Sequence, residues 1–199
     1  MEELDFQLSC VGRLSQVARR KGFNRFLTLA EYVNGLPYGR VVGTSPAAVL
    51  DQARGTCSSK HALLALIGLE SNRRDIELVL GMYEMNECNT PGVGGVLANY
   101  GLMSIPEAHC YLRVHERRFD FTGLQRGSAS PFESLLAEET IKPEAVGTIK
   151  ALRHREFIQR WSEQRSLDPA MVWLAREECI SHLTKWADTA SGSGPQSAG

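Results

Sequence analysis

No run of apolar residues in this 199-residue chain reaches the roughly 18 that a membrane-spanning helix needs. Neither sign of charge dominates. The 22 Lys and Arg against 23 Asp and Glu leave a net charge of -1, which favours neither nucleic acid nor an anionic membrane as a partner. There is no Cys-x-x-Cys pair, so a structural zinc knuckle is not expected. The five cysteines, Cys10, Cys57, Cys88, Cys110 and Cys179, are odd in number and scattered, which argues against a disulfide framework. No internal repeat is present. The glycine-rich "NTPGVGG" (89–95) lacks the Gly-Lys-Ser/Thr ending of a phosphate loop and reads instead as a flexible flap. "MEELDFQLSC" is acidic and lacks the charged-then-apolar plan of a secretory signal. The expectation is therefore a cytoplasmic protein that uses neither nucleic acid nor membrane.

What is present fits one domain over residues 1–188 and a small, polar tail over 189–199. Apolar spacing predicts helices over 5–20 and 24–34, the second with Asn24 as N-cap. "SPAAVLDQA" (45–53) predicts a short helix with Ser45 as N-cap and Pro46 at its first position. "DIELVLGMYEM" (75–85) reads as a strand and "AHCYLRVHERRFDFTG" (108–123) as a β-hairpin. From Pro131 the chain reads as helical, over 131–139, 143–163 and 168–188, with Asp168 capping the last. Helices, then strands, then helices suit an α+β domain better than alternating βαβ units.

The stretch "RGTCSSKHALLALIGL" (54–69) holds the chemistry. From Ala62 onward it is apolar all round, as in a helix packed on several sides. Cys57 stands at the start of that helix. There the free N–H groups and the positive end of the helix dipole stabilise a thiolate. The same N–H groups can hold an oxyanion, and Gly55 lets a substrate approach the backbone. The bland explanation is a buried, inert cysteine.

A nucleophilic cysteine needs a base, and the base needs an orienting group. The hairpin offers both. With a two-residue turn at His115 and Glu116, Tyr111 faces Asp120, and His109 lies diagonally from Asp120 on the same face. A three-residue turn breaks this contact unless a bulge restores it. Asp120 sits between Phe119 and Phe121 in a strand, where Asp is disfavoured, so its carboxylate needs a partner.

Gly-x-Cys opening an apolar helix, then a strand, then His and Asp on successive arms of a hairpin, resembles the transglutaminase-like superfamily, a branch of the papain-type cysteine fold. The resemblance covers roughly residues 36–125. Tyr111, two residues after the His, and Asp120-Phe121-Thr122 also fit its pattern. It implies a central helix packed on a small antiparallel sheet, with the N- and C-terminal helices flanking it. It also implies a triad of Cys57 as nucleophile, His109 as base and acid, and Asp120 as orienting carboxylate, with no metal and no organic cofactor. Two features depart from the family. The His-to-Asp spacing is short, and the tryptophan that some members place near the oxyanion has no upstream counterpart, because Trp161, Trp173 and Trp186 are all C-terminal. Tyr38 or Asn34 is a candidate substitute.

The expected function is thiol-dependent acyl transfer or amide hydrolysis on a protein, peptide or small amide. The alternatives are a non-catalytic protein-binding module on the same fold, or an acetyl-transfer enzyme with a related triad. The same residues allow other pairings. His61, four residues after Cys57, is a second candidate base, or with Cys57 half of a metal site completed by Cys88, Cys110 or His115. Glu107 is a competitor for His109.

Overall fold

The computed structural model describes residues 2–123 and 130–192, with side chains as far as Thr184. Eleven helices and strands succeed one another: α1 (Arg13–Arg20), α2 (Phe26–Gly35), α3 (Ala48–Asp51), α4 (Cys57–Glu70), β1 (Ile76–Met85), α5 (Gly94–Asn99), β2 (Ile105–Val114), β3 (Arg117–Phe119), β4 (Leu135–Ile141), α6 (Val146–Glu163) and α7 (Pro169–Gly192). The strands form one antiparallel sheet in the order β3-β2-β1-β4. The fold is thus α+β. No helix among the described residues is long and apolar enough to cross a membrane.

The register of β1 on β2 brings Leu78 opposite Leu112 and Leu80 opposite Cys110. These side chains and their even-numbered neighbours enter one apolar core with Leu63, Leu64 and Ile67 of α4 and Phe26, Leu29 and Val33 of α2. A second core joins Met85 and Ile105, at the other end of the β1–β2 pair, to α5, α6 and α7 through Leu97, Ile158, Trp161 and Val172. Helix α4, buried on most sides, is the element around which the first core is built.

Four local expectations change. Residues 5–12 are not helical: Leu8 and Phe26 donate their N–H groups to Asn24 and Phe6, which pairs the segment with residues 24–26. Helix α1 then begins after Gly12, and the Glu70 carboxylate caps it by accepting from Leu14 N, Ser15 N and Ser15 Oγ. Asn24 does not cap α2, whose N-cap position is Arg25 with no side-chain bond. Helix α3 starts only at Ala48, beyond Pro46.

The largest change is over 131–139. It forms a short 3-10 turn and then the edge strand β4. Its Leu, Ala and Glu are helix formers, but β1 offers a free edge, and the ladder to β1 outweighs weak local propensity. By contrast, Asp168 does cap α7, accepting from Ala170 N at 2.9 Å. That helix runs to Gly192, into the expected tail; residues 193–199 and the side chain of Trp186 lie outside the described residues.

The segment leaving β3 is pinned from below. Lys60, fully buried, donates to Leu36 O at 2.6 Å and Thr122 O at 2.7 Å. Gly123 follows with φ +74°, and a Cβ there would lie on the carbonyl oxygen of Asn34. Gly123→Ala should therefore lower the unfolding free energy by about 2 kcal/mol or more, from left-handed backbone strain plus steric displacement. Gly147→Ala, in open space near the start of α6, should raise it by a few tenths to about 1 kcal/mol. Urea denaturation of both variants checks the contrast.

Candidate active site

Cys57 owes its position to a well-made helix start. Thr56 is the N-cap of α4: its Oγ1 accepts from Ser59 N, and Ser59 Oγ accepts from Thr56 N at 2.9 Å. Just before it, Gly55 pairs in parallel with the 37–39 segment, through Gly55 N to Pro37 O at 3.1 Å and Gly39 N to Gly55 O at 3.2 Å. That short pairing carries Tyr38 to the neighbourhood of the Cys57 thiol, where burial and then the Cys57 charge push the pKa of its phenol up. The thiol itself is only 3% exposed.

The hairpin turn holds two residues, His115 and Glu116, and Leu112 stands opposite Phe119. One step further, Tyr111 faces Asp120. His109 reaches diagonally, and its Nε2 lies 3.1 Å from Asp120 Oδ2. The other carboxylate oxygen accepts from Thr122 N at 2.9 Å and from the Thr122 hydroxyl. The His109 ring lies between those of Tyr83 and Tyr111, at centroid distances of 6.2 and 6.1 Å. Burial alone would lower the His109 pKa, but the Asp120 charge and hydrogen bond, with the Cys57 sulfur, lift it to about 10. Asp120 is held far below the usual carboxylate range: burial opposes ionisation, but the charge and hydrogen bond of His109 outweigh it.

Nε2 is taken by Asp120, so Nδ1 is the nitrogen left for the thiol, and the Cys57 sulfur interacts with this ring. Cys57 is held well below the ordinary thiol value. The hydrogen bond from the Cys110 thiol is the largest cause; the charges of Lys150 and His109 add to it, and burial works against it. Cys110 shifts the opposite way, because the Cys57 sulfur and burial both keep its proton on. Lys150, from α6, donates to Cys57 Sγ at 3.2 Å.

Two competing pairings are not formed. His61 is a neutral structural residue: Phe121 N donates to its Nε2 at 2.7 Å, so Nδ1 carries the proton and donates to Cys57 O at 2.8 Å. Burial pushes its pKa down, in keeping with this tautomer. With both nitrogens engaged it is neither base nor ligand, and no cluster of three or more His, Cys, Asp or Glu fit for a metal occurs among the described residues. Glu107 turns to Arg176 of α7, which grips it with two bonds of 2.7 and 2.8 Å. The "NTPGVGG" segment is not a flap either. Glu87 accepts from Gly92 N and Gly94 N, and Val93 and Leu97 are buried against α7.

A cleft of about 820 Å³ opens beside the thiol, lined by Tyr38, Arg40, Ser58, Lys150 and Trp173 among others. Tyr38 was one of two upstream candidates in the sequence. In the sequence Cys110 stands near Cys57 only as a candidate co-ligand of a metal site, and Lys150 lies in a helix with no motif that marks it. Comparison of the chain with protein-family models, with curated proteins and with solved structures found no match.

The electrostatics set a test. In the wild type the His109 imidazole should stay protonated through neutral pH and lose its proton near pH 10. Asp120→Asn removes the largest of the influences that lift it and leaves that of Cys57, so the pKa should fall well below 10, toward the ordinary value of about 6.5. Imidazole NMR titration of both proteins reads the difference; an unchanged pKa in the variant would show that Asp120 does not charge His109.

Proposed function

We propose that this protein is a cysteine-nucleophile enzyme on a papain-type, transglutaminase-like core, and that it transfers or hydrolyses acyl groups held as amides. One observation carries the reading: His109 Nε2 is hydrogen-bonded to the buried Asp120 carboxylate at 3.1 Å, and this imidazole and the Cys57 sulfur each favour the other's charged form. Thiolate and imidazolium are then the resting pair. The helix start, the adjacent cleft and the neighbouring Tyr38 hydroxyl support the same assignment.

The steps follow from the geometry. The thiolate attacks the carbonyl carbon of a bound carboxamide. The Cys57 N–H and the Tyr38 hydroxyl hold the oxyanion. His109 gives its Nδ1 proton to the leaving amine as the C–N bond breaks, and a thioester remains. Water or a second amine then attacks, with neutral His109 taking its proton and Cys57 leaving as thiolate. Asp120 keeps the imidazole in the orientation that aims Nδ1 at sulfur. Water yields a protease or deamidase, amine a transglutaminase; both use this one set of groups.

The near-complete burial of Cys57 favours a second reading, a binding module with an idle thiol. Iodoacetamide separates the two. Near neutral pH the nucleophile should be alkylated on the order of ten times faster than the exposed Cys10 and Cys88, despite its burial, because its surroundings favour the thiolate. His109→Ala should remove most of that advantage. Equal rates at the three cysteines, or no modification of Cys57, would overturn the catalytic reading.

A further inference from the structure

Lys150 is a cation that touches the proposed nucleophile from outside the triad. Its Nζ lies 3.2 Å from Cys57 Sγ, and the same side chain lines the cleft, whereas the sulfur stands behind it, 3% exposed. An acyl group bound to Cys57 from the cleft would therefore lie next to this nitrogen.

We propose that Lys150 is an internal acyl acceptor: an acyl group loaded on Cys57 as a thioester moves to Lys150 Nζ, which leaves a stable Nε-acyl-lysine in the wall of the cleft. The proposal rests on Cys57 being the nucleophile. The thioester carbonyl carbon is one bond from the sulfur, so a carbonyl turned toward the cleft brings that carbon within the 3–3.5 Å of a near-attack geometry from Nζ. The transfer balances. The ammonium loses one proton to water in the cleft, and the free amine attacks the carbonyl carbon. The C–N bond forms, the C–S bond breaks and its electron pair leaves on Cys57 as thiolate. The second proton on nitrogen goes to water. No oxidant, reductant or cofactor takes part.

The change of charge on acylation drives the order of events. With the thiolate present, Lys150 is held above its usual range: burial lowers its pKa, but the Cys57 charge, then Cys110 and Glu107, raise it further. Thioester formation removes the first of those charges. Burial and the nearby Arg176 then act with less opposition, so acylation of Cys57 shifts Lys150 toward the free amine. Lys60, next to the site in sequence, cannot compete, because both its bonds go to backbone carbonyls. Lys21 and Lys142 are on the surface.

The test uses the full chain, p-nitrophenyl acetate as acyl donor, and peptide mass spectrometry with and without hydroxylamine, which removes thioesters and spares amides. The expected result is an early acetyl on Cys57 that hydroxylamine removes, followed by an acetyl on Lys150 that it does not. Cys57→Ala should cut Lys150 labelling on the order of 10-fold or more, since transfer depends on proximity, and leave Lys21 and Lys142 labelling unchanged. Lys150→Arg keeps a cation beside the sulfur but cannot accept, so the Cys57 adduct should persist several-fold longer. A labile Cys57 adduct with no label on Lys150, or Lys150 labelling equal in Cys57→Ala, overturns the proposal while the nucleophile stands. No adduct on Cys57 at all overturns both.

Discussion

Everything in the site depends on one contact, the clamp between helix α4 and the chain as it leaves strand β3. Two consecutive buried residues make it. Lys60 donates to Leu36 O and Thr122 O, and His61 accepts from Phe121 N while donating to Cys57 O. Burying a lysine is costly: burial lowers its pKa to about 8, against the opposing charges of Asp120 and Cys57. The gain is positional. One end of the clamp is the helix that starts with Cys57. The other is the strand exit that carries Asp120. Asp120 in turn orients His109, so two buried side chains bonded to backbone, with one carboxylate–imidazole bond, set the relative position of Cys57, His109 and Asp120.

Around this clamp the charges are arranged to be mutually dependent. Asp120 stays ionised because His109 is protonated, and His109 stays protonated because of Asp120 and Cys57. Lys150 touches Cys57, and near Lys150 lies Glu107, which Arg176 holds by two bonds and His154 approaches at 3.9 Å. A buried pair of this kind contributes little net stability, yet removal of one partner costs about 3–5 kcal/mol because it strands a charge in the interior. The pair ties α7 to β2 and fixes the field in which Lys150 sits. The C-terminal helices thereby take part in the site, and the cleft beside the thiol is bounded by them.

Much of this was legible where the signals are local and strong. The apolar run after Cys57, the alternation of 75–85 and the parity of the hairpin each depend on side-chain period, and a two-residue turn fixes the His109–Asp120 diagonal by geometry alone. What was not legible depends on distant partners. Helix formers over 135–141 became a strand because β1 had an edge to fill. Glu107 reads as a neighbour of His109 in sequence, but Arg176, 69 residues away, claims it. Lys150 carries no motif; only the packing of α6 brings it to the sulfur.

The central claim is that Cys57 is ionised at rest, and thiolate absorbance in the ultraviolet measures that directly. The difference between wild type and Cys57→Ala should show one thiolate already present at about pH 6, with no further rise through the pH range where ordinary cysteines titrate. A difference that is absent near pH 6 and grows only around pH 8–9, as for a free thiol, would contradict the account.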